Sequence, residues 1–195
     1  MMKIGITGNI GSGKTTVCKI FETLGVPVFN ADEESKKILF TDPAAISEVK
    51  KAFGEEIFSG GIPDRKKVAE LVFNDESKLE QLNSILHPAV IRKAKDWFNS
   101  QNERPYSLKE AALIFEVGGE KLLDKVIVVS APESLRIKRI VLRDGISEAE
   151  VRARMSRQIS QDEKIRRTDY VINNDETEPL IPQVIKIHNE LSRMA

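Results

Sequence analysis

The most informative stretch of this sequence is a glycine-rich run near its N-terminus. Residues 8–15 read GNIGSGKT and match the pattern G-x-x-x-x-G-K-[S/T] at every fixed position, between an apolar run and an amphipathic stretch. Glycines let the backbone turn so tightly that successive N–H groups point inward at phosphate oxygens, and the N-terminus of the following helix adds partial positive charge. In this pattern Lys14 reaches the β- and γ-phosphates and the Thr15 hydroxyl completes the shell of a Mg²⁺ ion. The run, called the phosphate loop below, predicts a nucleoside triphosphate site.

Carboxylates that follow predicted strands are the candidates for the acceptor side of the reaction. Asp32 comes just after the apolar run 26–29, which places it at the carboxyl edge of a sheet, where open α/β sheets bind their ligands. It could orient an acceptor hydroxyl and take its proton, or it could cap the helix that follows. Glu116 ends the predicted strand 111–115. It could hold Mg²⁺ through water or position the substrate, or it could cap the next turn.

A local excess of positive charge lies in the second half of the chain. Residues 136–167 contain ten Lys or Arg and five Asp or Glu, whereas the whole chain is neutral. Arg136, Arg139 and Arg143 are spaced to predict one helix face with three guanidinium groups. This pattern suits a lid that closes on a triphosphate, although solvated charged helices would show it too. Aromatic residues for base stacking are absent from the segment, which argues against a nucleic-acid groove.

The elements that must position these groups alternate between strands and helices. Unbroken apolar runs predict strands at 3–7, 26–29, 111–115, 126–129 and 171–172. The spacing of Val17, Ile20, Phe21 and Leu24 predicts a helix that ends at Gly25. Helical spacing then covers about 31–102, with breaks at 42–43, 60–63 and 87–88, and a last helix covers about 178–193. The order predicts an α/β protein with a parallel sheet and a helical insertion.

One predicted break contains a histidine. His87 precedes Pro88, which favours the first position of a helix. A histidine at such a start could contact a ligand, but such a histidine is more often structural.

Composition removes several classes of protein. The 195 residues carry 30 basic and 30 acidic side chains, without the basic excess expected of a nucleic-acid or membrane-surface binder. The single cysteine, Cys18, excludes an internal disulfide and a Cys-rich zinc site. A strand-like run begins within two residues of Met1, leaving no room for a signal peptide, and no apolar run is long enough for a membrane span. We expect a cytoplasmic protein with no nucleic-acid, membrane or obligate protein partner.

Among proteins with a phosphate loop, small-molecule kinases fit best. A GTPase would carry an Asn-Lys-x-Asp motif, which is absent, and a mechanical ATPase would need a longer chain. A kinase needs a core, an acceptor lobe and a lid, which this length accommodates. The competing hypotheses are a kinase for a nucleoside monophosphate or a sugar acid, and a nucleotide-gated binding module without a phosphoryl acceptor. The presence of Asp32 argues against the second.

Several motifs together resemble the dephospho-CoA kinases, nearly from end to end. They are ITGNIGSGKTT at 6–16, NAD at 30–32, LNSILHP at 82–88, LIFE at 113–116, VV at 128–129, Gln158, and DYVINN at 169–174. Many families share the phosphate loop, whereas the Ala-Asp pair, the Leu-Asn-x-x-x-His-Pro run and the Asp-Tyr-Val-Ile-x-Asn run are together specific to this one. The family transfers the γ-phosphate of ATP to the ribose 3′-hydroxyl of dephospho-CoA, which gives coenzyme A.

The resemblance implies a fold, a set of cofactors and roles for individual residues. The implied fold is a three-layer P-loop kinase domain, a parallel sheet with helices on both faces. Its core is about 1–31, 104–138 and 168–195, its acceptor lobe about 32–103 and its lid segment about 139–167. ATP and Mg²⁺ would be required, Asp32 would be the catalytic base, and Lys14 and Arg139 would complete the catalytic set. Nucleotide contacts are implied at Gly11, Ser12, Gly13, Lys14, Thr15, Thr16 and Asn174. Acceptor contacts are implied at Asp32, His87 and Glu116, with Thr15 as the metal ligand.

Two positions depart from the family pattern. Asn30 stands where the family usually has Asp, and Ala112-Leu113-Ile114 stands where it usually has Pro-Leu-Leu. We expect the enzyme to tolerate Asn30, because an amide still accepts a hydrogen bond there. Packing can absorb the second change.

Overall fold

The computed structural model describes residues 1–73, 75–101 and 103–194. The chain divides into two units, one made of Met1–Asn30 with Phe98–Ala195 and the other of Ala31–Trp97. The strands are β1 (Met2–Thr7), β2 (Val28–Asn30), β3 (Phe58–Ser59), β4 (Ile62–Pro63), β5 (Tyr106–Glu110), β6 (Lys125–Ser130) and β7 (Tyr170–Asn173). The helices are α1 (Lys14–Thr23), α2 (Ala31–Thr41), α3 (Pro43–Phe53), α4 (Arg65–Phe73), α5 (Glu76–Ser100), α6 (Glu133–Asp144), α7 (Glu148–Met155), α8 (Gln161–Arg166) and α9 (Leu180–Met194).

The first unit is built on a five-stranded sheet of order β2-β5-β1-β6-β7, in which every pair of neighbours is parallel. Successive side chains of β6 pack on opposite faces of the sheet, so both faces are covered. Ile127 and Val129 join the core cluster that contains α1 and α9, whereas Val126 and Val128 pack with Phe115 on the other face. The predicted α/β class with a parallel sheet and helices on both faces is confirmed.

The strand predicted at 111–115 is wrong, and the true strand β5 lies immediately before it. In β5 the buried Tyr106 and Leu108 alternate with more polar residues, so the strand does not read as an apolar run. Residues 112–118 form turns instead, and Ile114 and Phe115 are apolar because they lie buried beneath the sheet. Glu116 therefore does not end a strand.

The second unit is helical, with a short β3–β4 hairpin at the predicted break of 60–63. The break at 42–43 is confirmed, because Asp42 caps α3 by accepting from the Ala45 N–H at 2.9 Å. The break at 87–88 is wrong, since Pro88 lies inside α5. Proline normally interrupts a helix, but here a buried stripe continues through it on both sides. The stripe consists of Leu82, Leu86, Val90 and Ala94.

The ends of the other helices agree with the sequence. Helix α1 ends before Gly25, whose φ of 79° is the left-handed conformation expected just after a helix. Helix α9 occupies the predicted C-terminal stretch. The predicted end of the 31–102 helical stretch falls on residue 102, which lies outside the described residues. In the part of the chain that the structure describes, no helix is both long and apolar enough to cross a bilayer.

Helices α6–α8 pack within the first unit. Val151 of α7 is fully buried against Ile137 and Ile140 of α6. Ile159, between α7 and α8, packs beside Phe115. Of the three guanidinium groups predicted on one face of α6, that of Arg136 is only 5% exposed and donates to the Ala131 carbonyl at 3.0 Å.

Candidate active site

The phosphate loop joins β1 to α1 at the carboxyl edge of the sheet. Gly11 and Gly13 have φ of 80° and 92°, in the left-handed region that favours glycine. A Cβ on Gly11 would lie 2.6 Å from the Arg136 carbonyl oxygen, and one on Gly13 would collide with the Asn174 side chain. The loop therefore needs glycine at both positions to keep its shape.

The N-terminus of α1 is open to an anion. Among the described residues no side chain caps it at Gly13, and its first turn contains no acidic residue. The partial positive charge of the helix end is therefore available to a ligand. Lys14 begins the helix, and its Nζ donates to the Gly8 carbonyl at 2.8 Å, which holds the cation over the loop.

Two buried polar atoms of the loop could also contact a ligand. In the described part of the chain, Ser12 Oγ and Asn9 Oδ1 are buried without a hydrogen bond. Buried polar groups are nearly always paired in native proteins, so unpaired ones beside an open helix end suit a polar ligand. The loop can cradle phosphate groups.

A carboxylate stands directly beside Thr15. Glu110, the last residue of β5, is 4% exposed and accepts from the Thr15 hydroxyl at 3.0 Å. Its other oxygen accepts from the Asn30 amide at 2.9 Å, because β2 and β5 pair in parallel with residue 30 opposite residue 110. Burial raises the pKa of the nearby Cys18 thiol, and the negative charge of Glu110 adds to that shift.

Arg139 and Asn174 converge on the opposite side of the loop. Arg139 Nη2 donates to the Asn174 carbonyl at 3.1 Å, and Nη1 lies 3.4 Å from the Gly11 carbonyl. Asn174 donates in turn from Nδ2 to the Ser12 carbonyl at 2.7 Å. Glu176 makes a salt bridge of 3.2 Å with Arg139. Of the three arginines predicted on α6, Arg139 is the one that these contacts place against the loop.

The turn between α7 and α8 touches the phosphate loop directly. The Ile10 N–H donates to Gln158 Oε1 at 2.8 Å, and Asn9 Nδ2 donates to the Ile159 carbonyl at 3.0 Å. The Ile159 N–H donates to Glu116 Oε1 at 3.1 Å. A single residue, Ile159, thus connects the phosphate loop to the turn that follows β5.

Glu116 forms a buried ion pair rather than a strand-end site. Its Oε1 lies 2.9 Å from Lys164 Nζ, and Lys164 is fully buried and also donates to the Ala112 carbonyl at 3.0 Å. Burial lowers the pKa of Lys164, and Glu116 opposes that shift. Glu116 Oε2 is buried without a hydrogen bond among the described residues. A substrate contact by Glu116 stays a prediction.

The structure places the predicted site residues in two groups. The first unit brings seven of them to one loop and its surroundings: Gly11, Ser12, Gly13, Lys14, Thr15, Arg139 and Asn174. Thr16, in the first turn of α1, is exposed. Asp32 and His87 belong to the second unit. Asp32 is exposed and is the second residue of α2, so it is not the cap of that helix, and His87 is half-buried within α5.

Glu110 is the site residue that sequence reasoning missed. The motif search assigned the sheet edge to Glu116 because the apolar run 111–115 looked like the strand. Recognising the alternating pattern of Tyr106–Glu110 would have placed the edge at Glu110. Asn30 was expected to accept a hydrogen bond, whereas its amide donates one to Glu110.

A phosphate loop at the carboxyl edge of a five-stranded parallel sheet, with an arginine held against it, defines a P-loop kinase. The fold is similar to that of a shikimate kinase from Acinetobacter baumannii, with a TM-score of 0.54 at 15% identity, over 100% of this chain and 94% of that chain.

Comparison with known sequences and structures identifies one family among the proteins with this fold. A family model described as dephospho-CoA kinase matches residues 2–179. A dephospho-CoA kinase of Bacteroides fragilis is 39% identical over 186 residues, covering 95% of this chain and 91% of the relative. The solved structure of dephospho-CoA kinase from Campylobacter jejuni has a TM-score of 0.73 at 28% identity and covers 98% of both chains. The chain belongs to the dephospho-CoA kinase family, and its activity is the phosphorylation of dephospho-CoA by ATP, the final step of coenzyme A biosynthesis.

Proposed function

We propose that the phosphate loop, Arg139, Thr15 and Asp32 carry out this reaction in the roles given below, with Mg²⁺ as the required cation. The observation that carries the proposal is the open N-terminus of α1, with Lys14 and Thr15 in its first turn and Glu110 and Arg139 on either side. In the reaction, the 3′-hydroxyl oxygen of the acceptor attacks the γ-phosphorus of ATP. The bond from that phosphorus to the oxygen bridging the β- and γ-phosphates breaks, and ADP leaves.

The triphosphate binds to the phosphate loop. Backbone N–H groups and the helix end hold the phosphates, and Lys14 neutralises charge that develops on the transferring group. Arg139, which contacts the Gly11 carbonyl, is the second positive charge proposed at this loop. Asn174, hydrogen bonded to the Ser12 carbonyl, is the proposed contact to the adenine side of the nucleotide.

Thr15 and Glu110 fit a bound Mg²⁺. Mg²⁺ prefers hard oxygen ligands and is commonly held by one or two protein oxygens together with phosphates and water. The Thr15 hydroxyl and the Glu110 carboxylate are oxygen donors 3.0 Å apart beside the open helix end. When bound, the cation would neutralise charge on the β- and γ-phosphates.

Asp32 is the general base of the proposed mechanism. It is exposed and only two peptide bonds beyond Asn30, the end of the strand that pairs with β5. A carboxylate there accepts the proton of the acceptor hydroxyl as the new P–O bond forms. His87 and Glu116 are the proposed contacts to dephospho-CoA, and the proposed division of the chain has an acceptor lobe of about 32–103 and a lid segment of about 139–167.

The experiment is a product assay with matched acceptors. Purified protein is incubated with ATP and dephospho-CoA, with and without Mg²⁺, and ADP and coenzyme A are separated by chromatography. We expect ADP and coenzyme A in equal amounts, only with Mg²⁺, and neither product with AMP or gluconate as acceptor. Phosphorylation of AMP or gluconate would favour a different metabolite kinase. ATP binding without transfer to any acceptor would favour the nucleotide-gated binding module. We further propose a cytoplasmic enzyme, since the single thiol Cys18 suits a reducing compartment.

A further inference from the structure

Arg136 of α6 is a buried charge without a counterion. Its side chain is 5% exposed, and Nε donates to the Ala131 carbonyl at 3.0 Å. Nη1 is buried without a hydrogen bond, and no carboxylate in the described part of the chain forms an ion pair with this guanidinium group. An arginine cannot avoid the cost of burial by losing its proton, because guanidinium groups stay protonated in proteins. Arg136 therefore keeps a full positive charge inside the protein.

The charged neighbours of Arg136 are paired with other groups. Glu133, on the preceding turn of α6, makes a salt bridge of 2.7 Å with Arg152. Lys164 is a second buried cation, and the carboxylate of Glu116 contacts it at 2.9 Å. Burial lowers the pKa of both Arg136 and Lys164; Glu133 opposes the first shift, and the like charge of Arg136 adds to the second. Neither carboxylate contacts Arg136, so no ion pair neutralises its charge.

This unpaired charge belongs to a residue that packs against the phosphate loop. The backbone of Arg136 lies so close to Gly11 that a Cβ there would be 2.6 Å from the Arg136 carbonyl oxygen. Arg136 and Asn9 of the loop also line one cavity of about 450 Å³. Asn9 Oδ1 is another buried atom without a hydrogen bond among the described residues. A charge surrounded by protein is weakly screened, so its field extends to an anion that binds at the loop.

We propose that Arg136 is a further determinant of triphosphate affinity: its unpaired charge attracts the phosphates at the loop from within the protein, without contacting them. Burying an unpaired charge lowers the stability of the ligand-free protein, and an anion at the loop offsets that cost. The inference rests on the proposed binding of the triphosphate to the phosphate loop. It adds a residue that the loop motif does not include.

The test compares two ligands that differ by one phosphate group. Arg136→Met keeps a long side chain without its charge, Arg136→Lys keeps the charge, and Lys138→Met is the control. Lys138 is exposed and lies on the same helix, so its substitution removes an equal charge from a solvated position. Isothermal titration in EDTA gives the affinity of each protein for ATP and for ADP. The unfolding temperature of each protein is measured without ligand.

We expect Arg136→Met to weaken ATP binding about tenfold or more, and to weaken ADP binding by a factor at least about two times smaller, because the attraction grows with the charge of the ligand. The unfolding temperature of this variant without ligand should stay within about 2 °C of the wild type or rise, since an apolar side chain replaces a buried unpaired charge. Arg136→Lys should bind ATP at least about fivefold more tightly than Arg136→Met. Lys138→Met should match the wild type within about twofold.

The outcomes separate this inference from the proposed function. Wild-type ATP affinity in Arg136→Met would overturn it. Equal losses of ATP and ADP affinity would also overturn it, because a side chain that only shapes the loop gives that result. An Arg136→Lys variant that binds ATP no better than Arg136→Met would show that the charge is not the cause. A wild type that binds ATP but makes no coenzyme A would overturn the proposed function, and the same affinities would still decide the role of Arg136.

Discussion

The buried ion pair between Glu116 and Lys164 gives the sharpest stability prediction. The change is Glu116→Gln, which removes the charge but keeps an oxygen for the Ile159 N–H. Lys164 is fully buried, and in the variant its ammonium group would face two neutral acceptors, the amide oxygen in place of Glu116 Oε1 at 2.9 Å and the Ala112 carbonyl at 3.0 Å, without the opposite charge. Breaking a buried pair in this way typically costs about 3–5 kcal/mol.

The protonation of Lys164 sets an upper limit on this cost and makes it depend on pH. The variant can avoid burying a charge by releasing the lysine proton, which at pH 7 costs about 5 kcal/mol relative to an ordinary lysine pKa of about 10.4. At pH 10 the same release costs only about 1 kcal/mol. Burial already lowers the pKa of Lys164, and loss of Glu116 lowers it further. Between the folded and unfolded pKa the unfolded chain binds more protons, so the stability of the variant relative to the wild type rises with pH.

The assay is urea denaturation of both proteins at pH 7 and pH 10. We expect Glu116→Gln to lose about 3–5 kcal/mol at pH 7 and no more than about 1 kcal/mol at pH 10. The matched control is Glu120→Gln, whose partner Arg167 lies at 2.7 Å and is 37% exposed. That pair should be worth less than about 1 kcal/mol at either pH, since it is partly solvated and arginine does not titrate. A Glu116→Gln deficit that is equal at the two pH values would refute the reasoning.

Three further predictions concern the site. Asp32→Asn should keep ATP affinity within about twofold, measured by isothermal titration, and lower turnover about 10²- to 10⁴-fold, measured by steady-state kinetics. Unchanged turnover would show that Asp32 is not the base. Arg139→Gln should raise the ATP concentration needed for half-maximal rate about tenfold or more, because it removes a charged group held against the Gly11 carbonyl; an unchanged value would contradict this. Gly13→Ala should lower the unfolding temperature and weaken ATP binding about tenfold or more, because φ at residue 13 is 92° and the new Cβ would collide with the Asn174 side chain. Calorimetry and ATP titration test this, and a variant with wild-type ATP affinity would show that the loop adapts.

The phosphate loop could be predicted from the sequence because its function depends on residues adjacent in the chain. Fixed spacing identifies Lys14 and Thr15 without knowledge of distant contacts. The α1 helix and the β6 strand were predictable for the same reason, since periodic burial repeats within a few residues. Family resemblance then indicated Asp32, whose position in α2 fits a free carboxylate better than a helix cap.

The rest of the site depends on long-range pairing that no local pattern encodes. Glu110 reaches Thr15 because β5 inserts between β1 and β2, at a distance of 95 residues along the chain. The apolar run at 111–115 was misleading because turns can also lie buried beneath a sheet. Pro88 was misleading because tertiary packing of a continuous apolar stripe outweighs one missing helix hydrogen bond.

Ile159 connects the segment 139–167 to the phosphate loop. Ile159 donates its N–H to Glu116 and accepts from Asn9 through its carbonyl. Glu116 is fixed in turn by the buried Lys164 of α8. An ion pair outside the loop therefore helps to hold Asn9, whose buried Oδ1 has no hydrogen bond among the described residues. Any movement of residues 158–159 must break hydrogen bonds to both Asn9 and the Ile10 N–H, at about 1 kcal/mol each. That cost is small enough for ligand binding to offset, so these two hydrogen bonds alone do not lock residues 158–159 onto the phosphate loop.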